Sequence, residues 1–207
     1  MDEKKLERLE KQLDFIREID KEKQIFRQNC LTDGSRKEND AEHAWHMAIM
    51  VFLLSEYSNE EIDVLKTIRM LLIHDIVEID AGDTYAYADV PKSEQHAKEE
   101  LAAQRIFGIL PKDQAEELIA LWYEFEAGES KEARFARTMD NLQPMLLNDA
   151  SKGKSWEEHK VVLSKVLKRN EPTPKGSKEL WNYAKERIIK KNVEKGHIIC
   201  DVPFEEE

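Results

Sequence analysis

Glycine and proline are scarce in this chain, seven and six among 207 residues. So few chain breakers, with little apolar–polar alternation, exclude a turn-rich β-sandwich or barrel. Cysteine is scarcer still. Cys30 and Cys200 stand far apart without a CxxC, which excludes a disulfide framework and suggests a reducing, cytoplasmic setting. An excess of positive charge is also missing: 32 Lys plus Arg face 43 Asp plus Glu, a formal net charge of −11. That argues against a non-specific nucleic-acid binder, but not against a small anionic ligand, because a local group of cations and a metal can override the global charge. The charged, periodic start Met1-Asp2-Glu3-Lys4-Lys5 reads neither as a signal peptide nor as a membrane span, and no membrane partner is expected.

What remains is helix-period apolar spacing. It predicts a first helix near 3–27, with Leu6, Leu9, Leu13, Ile16 and Ile19 on one stripe, then a polar loop over Thr32–Glu38. Asn39 or Asp40 caps a helix to about Tyr57, and another runs from about 60 to 79. After a loop from Ala81 to Val90, helices are expected near 93–109, 111–127, 130–150, 156–169 and 177–194, with Ser93, Ser130 and Ser155 as caps and Pro111 at a start. The class is all-α. With no repeat, linker or composition break, residues 1–207 read as a single-domain helical bundle with core motifs over 27–140, additional helices over 150–195 and a tail at 196–207.

One pair breaks the apolar pattern. His74-Asp75 sits inside Met70-Leu71-Leu72-Ile73-His74-Asp75-Ile76-Val77. An imidazole and a carboxylate in such a run cost several kcal/mol unless something pairs with them, and a divalent metal ion is the partner that makes them worth keeping. His43 upstream and Asp140 downstream are candidates to complete the set. Two imidazoles and two carboxylates leave coordination positions open, as a catalytic rather than structural site requires. The mix suits one divalent transition ion, Mn, Co, Fe, Ni or Zn, better than Ca or Mg. On a helix Glu78 lies one turn beyond the pair, placed for proton transfer beside an activated water. Arg27, Arg36 and Lys92 flank the set in sequence and are candidates for holding a phosphate. Arg36 has an alternative use as a clamp on Glu38 or Glu42. His46 lies one turn from His43 but reads as a packing residue, and Trp45, Trp122, Trp156 and Trp181 are spaced for helix packing.

The ordered pattern His43, His74-Asp75, Asp140 resembles the HD-domain phosphohydrolase superfamily. More narrowly, Arg36-Lys37-Glu38-Asn39-Asp40-Ala41-Glu42-His43 with His74-Asp75-Ile76-Val77-Glu78-Ile79-Asp80-Ala81-Gly82-Asp83-Thr84 resembles its 5′-deoxynucleotidase branch. The resemblance implies an HD-type bundle with His43, His74, Asp75 and Asp140 as metal ligands and Glu78 as the catalytic glutamate. It implies Asp83 as a substrate-contacting aspartate, with Thr84 and Tyr85 lining a nucleoside pocket. It also implies a homodimer that releases phosphate from (deoxy)nucleoside 5′-monophosphates. The family has an Arg-Trp pair near the end of the first helix; here Arg27 is followed by Gln28. Alternatives are the same site acting on another phosphoester, such as a nucleoside triphosphate, an alarmone or a non-nucleotide metabolite, or a non-catalytic nucleotide-binding module.

Overall fold

The computed structural model describes residues 1–83, Tyr87 and residues 92–204, the Lys92 side chain excepted. Within them the expected all-α architecture is present. The helices are α1 (Glu3–Ile19), α2 (Asp40–Leu54), α3 (Val64–Ile73), α4 (Glu78–Ala81), α5 (Lys92–Phe107), α6 (Lys112–Ala127) and α7 (Lys131–Ala150). They continue with α8 (Lys154–Glu158), α9 (Leu163–Asn170), α10 (Thr173–Gly176), α11 (Lys178–Tyr183) and α12 (Lys190–Glu194).

The spine of the bundle is α7, which packs against α2, α3, α6 and α10. It buries Phe135, Met139, Leu142 and Met145; Met47 and Val51 of α2, Met70 and Leu71 of α3, and Trp122 and Phe125 of α6 are also buried. Each such large apolar side chain contributes about 1.5–3 kcal/mol on leaving water.

Several boundaries differ from the sequence expectation. The first helix stops at Ile19, passes through a 3-10 turn at Asp20–Gln24 and becomes a strand, β1 (Phe26–Cys30). It pairs antiparallel with β2 (Lys37–Asn39), Phe26 opposite Asn39 and Cys30 opposite Lys37. The stripe expected to pack is largely outward, with Leu6, Leu9, Leu13 and Ile16 at the surface. Phe15 is the buried residue of α1, its ring 6.3 Å from Phe107 of α5. The helix expected near 156–169 is split into α8 and α9: Lys160 takes a left-handed conformation (φ 49°), and Val162 forms a bridge with Ile199. Near 177–194 the helix runs on, but loosens into a π turn at Ala184–Ile189 between α11 and α12.

Asn39 and Ser130 cap α2 and α7 as expected. Ser93 and Ser155 instead fall inside α5 and α8. Trp122 and Trp156 are buried, whereas Trp45 faces solvent.

Candidate metal centre

Three helix ends and one helix middle meet at this site. At the start of α2, Asn39 Oδ1 accepts from Glu42 N–H (3.0 Å) and Glu42 Oε2 accepts from Asn39 N–H (3.2 Å), a reciprocal cap that fixes the first turn. That turn aims Asp40 and His43 inward, and both are fully buried. The strand β1 then lays Arg27 across them: Arg27 Nη1 donates to Asp40 Oδ1 (3.1 Å) and to Asp75 Oδ2 (2.7 Å).

The expected helix through His74-Asp75 ends earlier, at Ile73, and residues 74–77 form a tight turn before α4. Side chains cause the change. The His74 Nδ1–H donates to Leu71 O (2.9 Å), and Trp122 Nε1–H donates to His74 O (3.2 Å). Both carbonyls are thereby engaged by side chains at the point where the helix stops, and Glu78 N–H closes onto Asp75 O instead (2.8 Å). Glu78 still faces the cluster, because one oxygen each of Asp40, Asp75 and Glu78 lies within 4.8 Å of the others.

From the middle of α7, Asp140 Oδ1 reaches 3.2 Å from His43 Nε2 and 3.9 Å from His74 Nε2. Asp75 Oδ2 lies 3.0 Å from His74 Nε2 and 4.0 Å from His43 Nε2. The four residues singled out for metal ligation are therefore neighbours. Both imidazoles turn Nε2 to the common space and engage Nδ1 behind it, His43 with Gln143 Oε1 (2.9 Å) and His74 with Leu71 O. That is the tautomer and orientation a metal-bound histidine adopts. His74 Nε2 is buried, and despite its nearness to Asp75 it makes no aligned hydrogen bond. A donor set of two imidazole nitrogens and two carboxylates, with one buried nitrogen lacking a partner, fits a divalent transition ion.

The electrostatics divide the carboxylates into two kinds. Burial pushes Asp75 up, but the His74 and Arg27 charges override it and hold its carboxyl below the usual range. Asp140 is likewise held well below, burial being outweighed by its hydrogen bond with His43, the nearness of His74 and the Arg169 charge. The same carboxylates raise both imidazoles against burial, and a metal ion would compete with protons for them. Asp40 goes the other way, pushed up to about 6 by burial and by Asp75. Glu78 is raised well above its ordinary value by burial, Asp75 and Asp40, and Asp83 is raised chiefly by burial. Glu22, behind the cluster, is raised to about 7 by burial and the Asp75 and Asp40 charges. Carboxylates pushed apart in this way can divide ligand and proton-transfer roles.

The other expected residues fare differently. Arg27 joins the cluster, but from a strand rather than a helix end. Arg36 does not join it. Its guanidinium forks onto Glu42 (2.8 and 2.5 Å) at the exposed rim, the clamp alternative rather than the phosphate one. Thr84, Tyr85 and the Lys92 side chain lie outside the described residues. Sequence reasoning missed Asp40, taken only as a possible cap, although it stands one turn before His43. It also missed Gln143, one turn after Asp140. Its buried amide accepts from His43, donates to Glu38 Oε1 (2.7 Å) and meets His46 Nδ1 (3.1 Å). Arg169 of α9, whose Nη2 lies 3.1 Å from Asp140 Oδ2, carried no local signal.

A family model described as HD domain matches residues 19–181, the span that holds all of these side chains. The chain belongs to the HD domain family. Its backbone resembles the crystal structure titled as that of a predicted metal-dependent phosphohydrolase from Magnetospirillum magnetotacticum MS-1, with a TM-score of 0.88 and 49% identity, covering 92% of this chain and 95% of that one. The human 5′-deoxynucleotidase HDDC2 is 30% identical over 135 residues, 65% of either chain. The Schizosaccharomyces pombe 5′-deoxynucleotidase hdd1 is 28% identical over 113 residues, covering 52% of this chain and 55% of that protein. This HD protein thus aligns with about two thirds or less of these two nucleotidases' own length.

Proposed function

We propose that this HD protein is a metal-dependent phosphomonoesterase that hydrolyses deoxynucleoside 5′-monophosphates to nucleoside and phosphate. The observation that carries the reading is the convergence of His43, His74, Asp75 and Asp140 beside a half-buried Glu78. The activity for which the human and Schizosaccharomyces pombe relatives are named supports the substrate class. His43, His74, Asp75 and Asp140 would hold one divalent ion, with Mn, Co, Fe, Ni and Zn all suited to the donors. Bound there, the ion supplies Lewis acidity toward a phosphoryl oxygen and lowers the pKa of water.

The chain's own residues do the rest. Arg27 fixes Asp75 and Asp40 in place. Glu78 manages the proton: its Oε2 is buried without a hydrogen bond among the described residues, and burial with the Asp75 and Asp40 charges raises its pKa. As the oxygen of a water molecule joins phosphorus, the ester P–O bond breaks, the alcohol oxygen takes a proton from Glu78, and a proton of the attacking water restores Glu78. Asp83, half-buried at the end of α4, is assigned to the sugar, with Thr84, Tyr85 and Lys92 as further contacts.

A second reading, another phosphoester at the same site, is favoured by Gln28, which follows Arg27 where the resemblance implies a Trp. One panel separates the two. The protein is stripped, reloaded with Mn, Co, Zn or Fe, and given deoxy- and ribonucleoside 5′-monophosphates. Phosphate release from the deoxy forms, absent in stripped protein, is expected. Release from other phosphoesters alone would overturn the nucleotide assignment.

The same reading takes residues 1–207 as one domain. It places the protein in a reducing cytoplasm, in keeping with two unpaired cysteines. It also makes the protein a homodimer through an apolar face: Trp45, Ile49 and Phe52 follow one another along an exposed side of α2, with Leu65 and Leu72 on the adjoining α3. Sedimentation is expected to give a particle of twice the 24.2 kDa chain mass. A Trp45→Glu, Phe52→Glu variant should sediment as the single chain; a monomeric wild type would remove the dimer from the reading.

A further inference from the structure

The site has an anion problem. Asp40, Asp75, Glu78, Asp83 and Asp140 surround the space where a phosphate ester must arrive, and the ester is itself a dianion. Cations facing that space are therefore needed, beyond those already neutralised by the carboxylates. Arg27 is less accessible: its side chain is 14% exposed, and Nη1 is shared between the carboxylates of Asp40 and Asp75. Arg36 is committed to Glu42.

Arg169 is differently placed. It reaches the cluster from the outer side of Asp140, at the carboxylate oxygen turned away from the histidines, with Nη2 3.1 Å from Oδ2. Its side chain is 40% exposed, and Asp140 is its one hydrogen-bond partner among the described residues. A guanidinium carries five N–H donors in a planar fork, so most of the donors remain unspent and matched to phosphate oxygens. Tyr87, a described residue beyond Asp83, meets the same helix, its carbonyl oxygen accepting from Lys165 Nζ (3.1 Å).

The backbone beneath it is anchored. Leu163, Val166 and Asn170 of α9 are buried. Thr173 Oγ1 accepts from Asn141 Nδ2 (3.1 Å), and Asn170 meets Thr173 (3.4 Å), tying the end of α9 to α7 next to Asp140.

We propose that Arg169 is a phosphate-binding residue of this site, meeting the phosphoryl group of the substrate, and the phosphate released, from the Asp140 side. The proposal rests on the phosphomonoesterase reading. Its rival is a structural role, in which Arg169 does no more than position Asp140.

The experiment uses full-length, Mn-reloaded wild type, Arg169→Gln and Arg169→Lys. Three quantities are read: Mn affinity, inorganic phosphate affinity by calorimetry, and KM against kcat for nucleotides. Phosphate Kd and KM should rise at least about tenfold in Arg169→Gln, the weight of a lost charge-assisted hydrogen bond. Arg169→Lys should recover part of that loss, and Mn affinity should stay within about twofold, since Asp140 itself remains. Unchanged phosphate affinity, or Mn and phosphate affinity falling together, would overturn the proposal. Phosphate binding is read without turnover. A wild type that binds phosphate but hydrolyses no nucleotide would therefore sink the nucleotidase reading while Arg169 is still judged, and a wild type that binds no phosphate would sink the proposal.

Discussion

Asp75→Asn should fold, bind metal poorly and release almost no phosphate. Asp75 Oδ2 serves three neighbours at once: Arg27 at 2.7 Å, His74 Nε2 at 3.0 Å and His43 Nε2 at 4.0 Å. An amide keeps the shape but cancels the charge. In the proposed reaction the ion supplies several kcal/mol of charge stabilisation, so at about 1.4 kcal/mol per decade kcat should fall by about a thousandfold or more. The substitution also removes one of the two carboxylates that compensate the buried Arg27. Asp40 remains at 3.1 Å, so the loss of stability should stay below the roughly 3–5 kcal/mol of a fully broken buried pair. Metal content by elemental analysis, a thermal melt and phosphate release answer the three parts. A variant that keeps both its metal and its turnover would remove Asp75 from the ligand set.

Glu78→Gln tests a different link. Its carboxyl lies beside Asp40 and Asp75, yet Oε2 has no hydrogen-bond partner among the described residues. If it moves the proton, kcat should drop by about 10²–10⁴ while KM and bound metal hold near the wild-type values. The split between kcat and metal content is the informative part. Loss of metal together with activity would make Glu78 a ligand, and full activity in the glutamine variant would move proton transfer elsewhere, with Asp40 the neighbouring carboxylate to test. Removing the mutual repulsion of buried carboxylates should also leave the variant no less stable than the parent.

Three of the four candidate ligands were legible because they violate their surroundings: a His-Asp pair inside an apolar run, and an aspartate directly after Met139; His43 stands in a polar stretch and was legible only from the ordered pattern. The helical class was legible from spacing and from the shortage of breakers. The strand pair was not, because Phe26-Arg27-Gln28-Asn29-Cys30 lacks the alternation that marks a half-buried strand. Its order comes from pairing with Lys37–Asn39 and from the ion pairs of Arg27. The end of α3 was hidden for another reason. Met70–Val77 is apolar enough to continue as helix, and what stops it are a histidine ring and a tryptophan from 48 residues away. Asp40 was visible only as a cap because burial of its carboxylate is decided by Arg27, 13 residues earlier. Arg169 meets Asp140 across 29 residues and the whole of α8, which no periodicity encodes.

His43 and Asp140 touch across 97 residues of sequence. Closing a loop of that length costs chain entropy, which the packing of the bundle around α7 must offset. The unfolded chain therefore holds these imidazoles and carboxylates apart. An ion is selected by the finished bundle, at whatever concentration the cell holds free at that moment, and it adds to the bundle's stability in proportion to the logarithm of that concentration. The melting temperature of the loaded protein should thus report cellular metal supply as directly as its activity does.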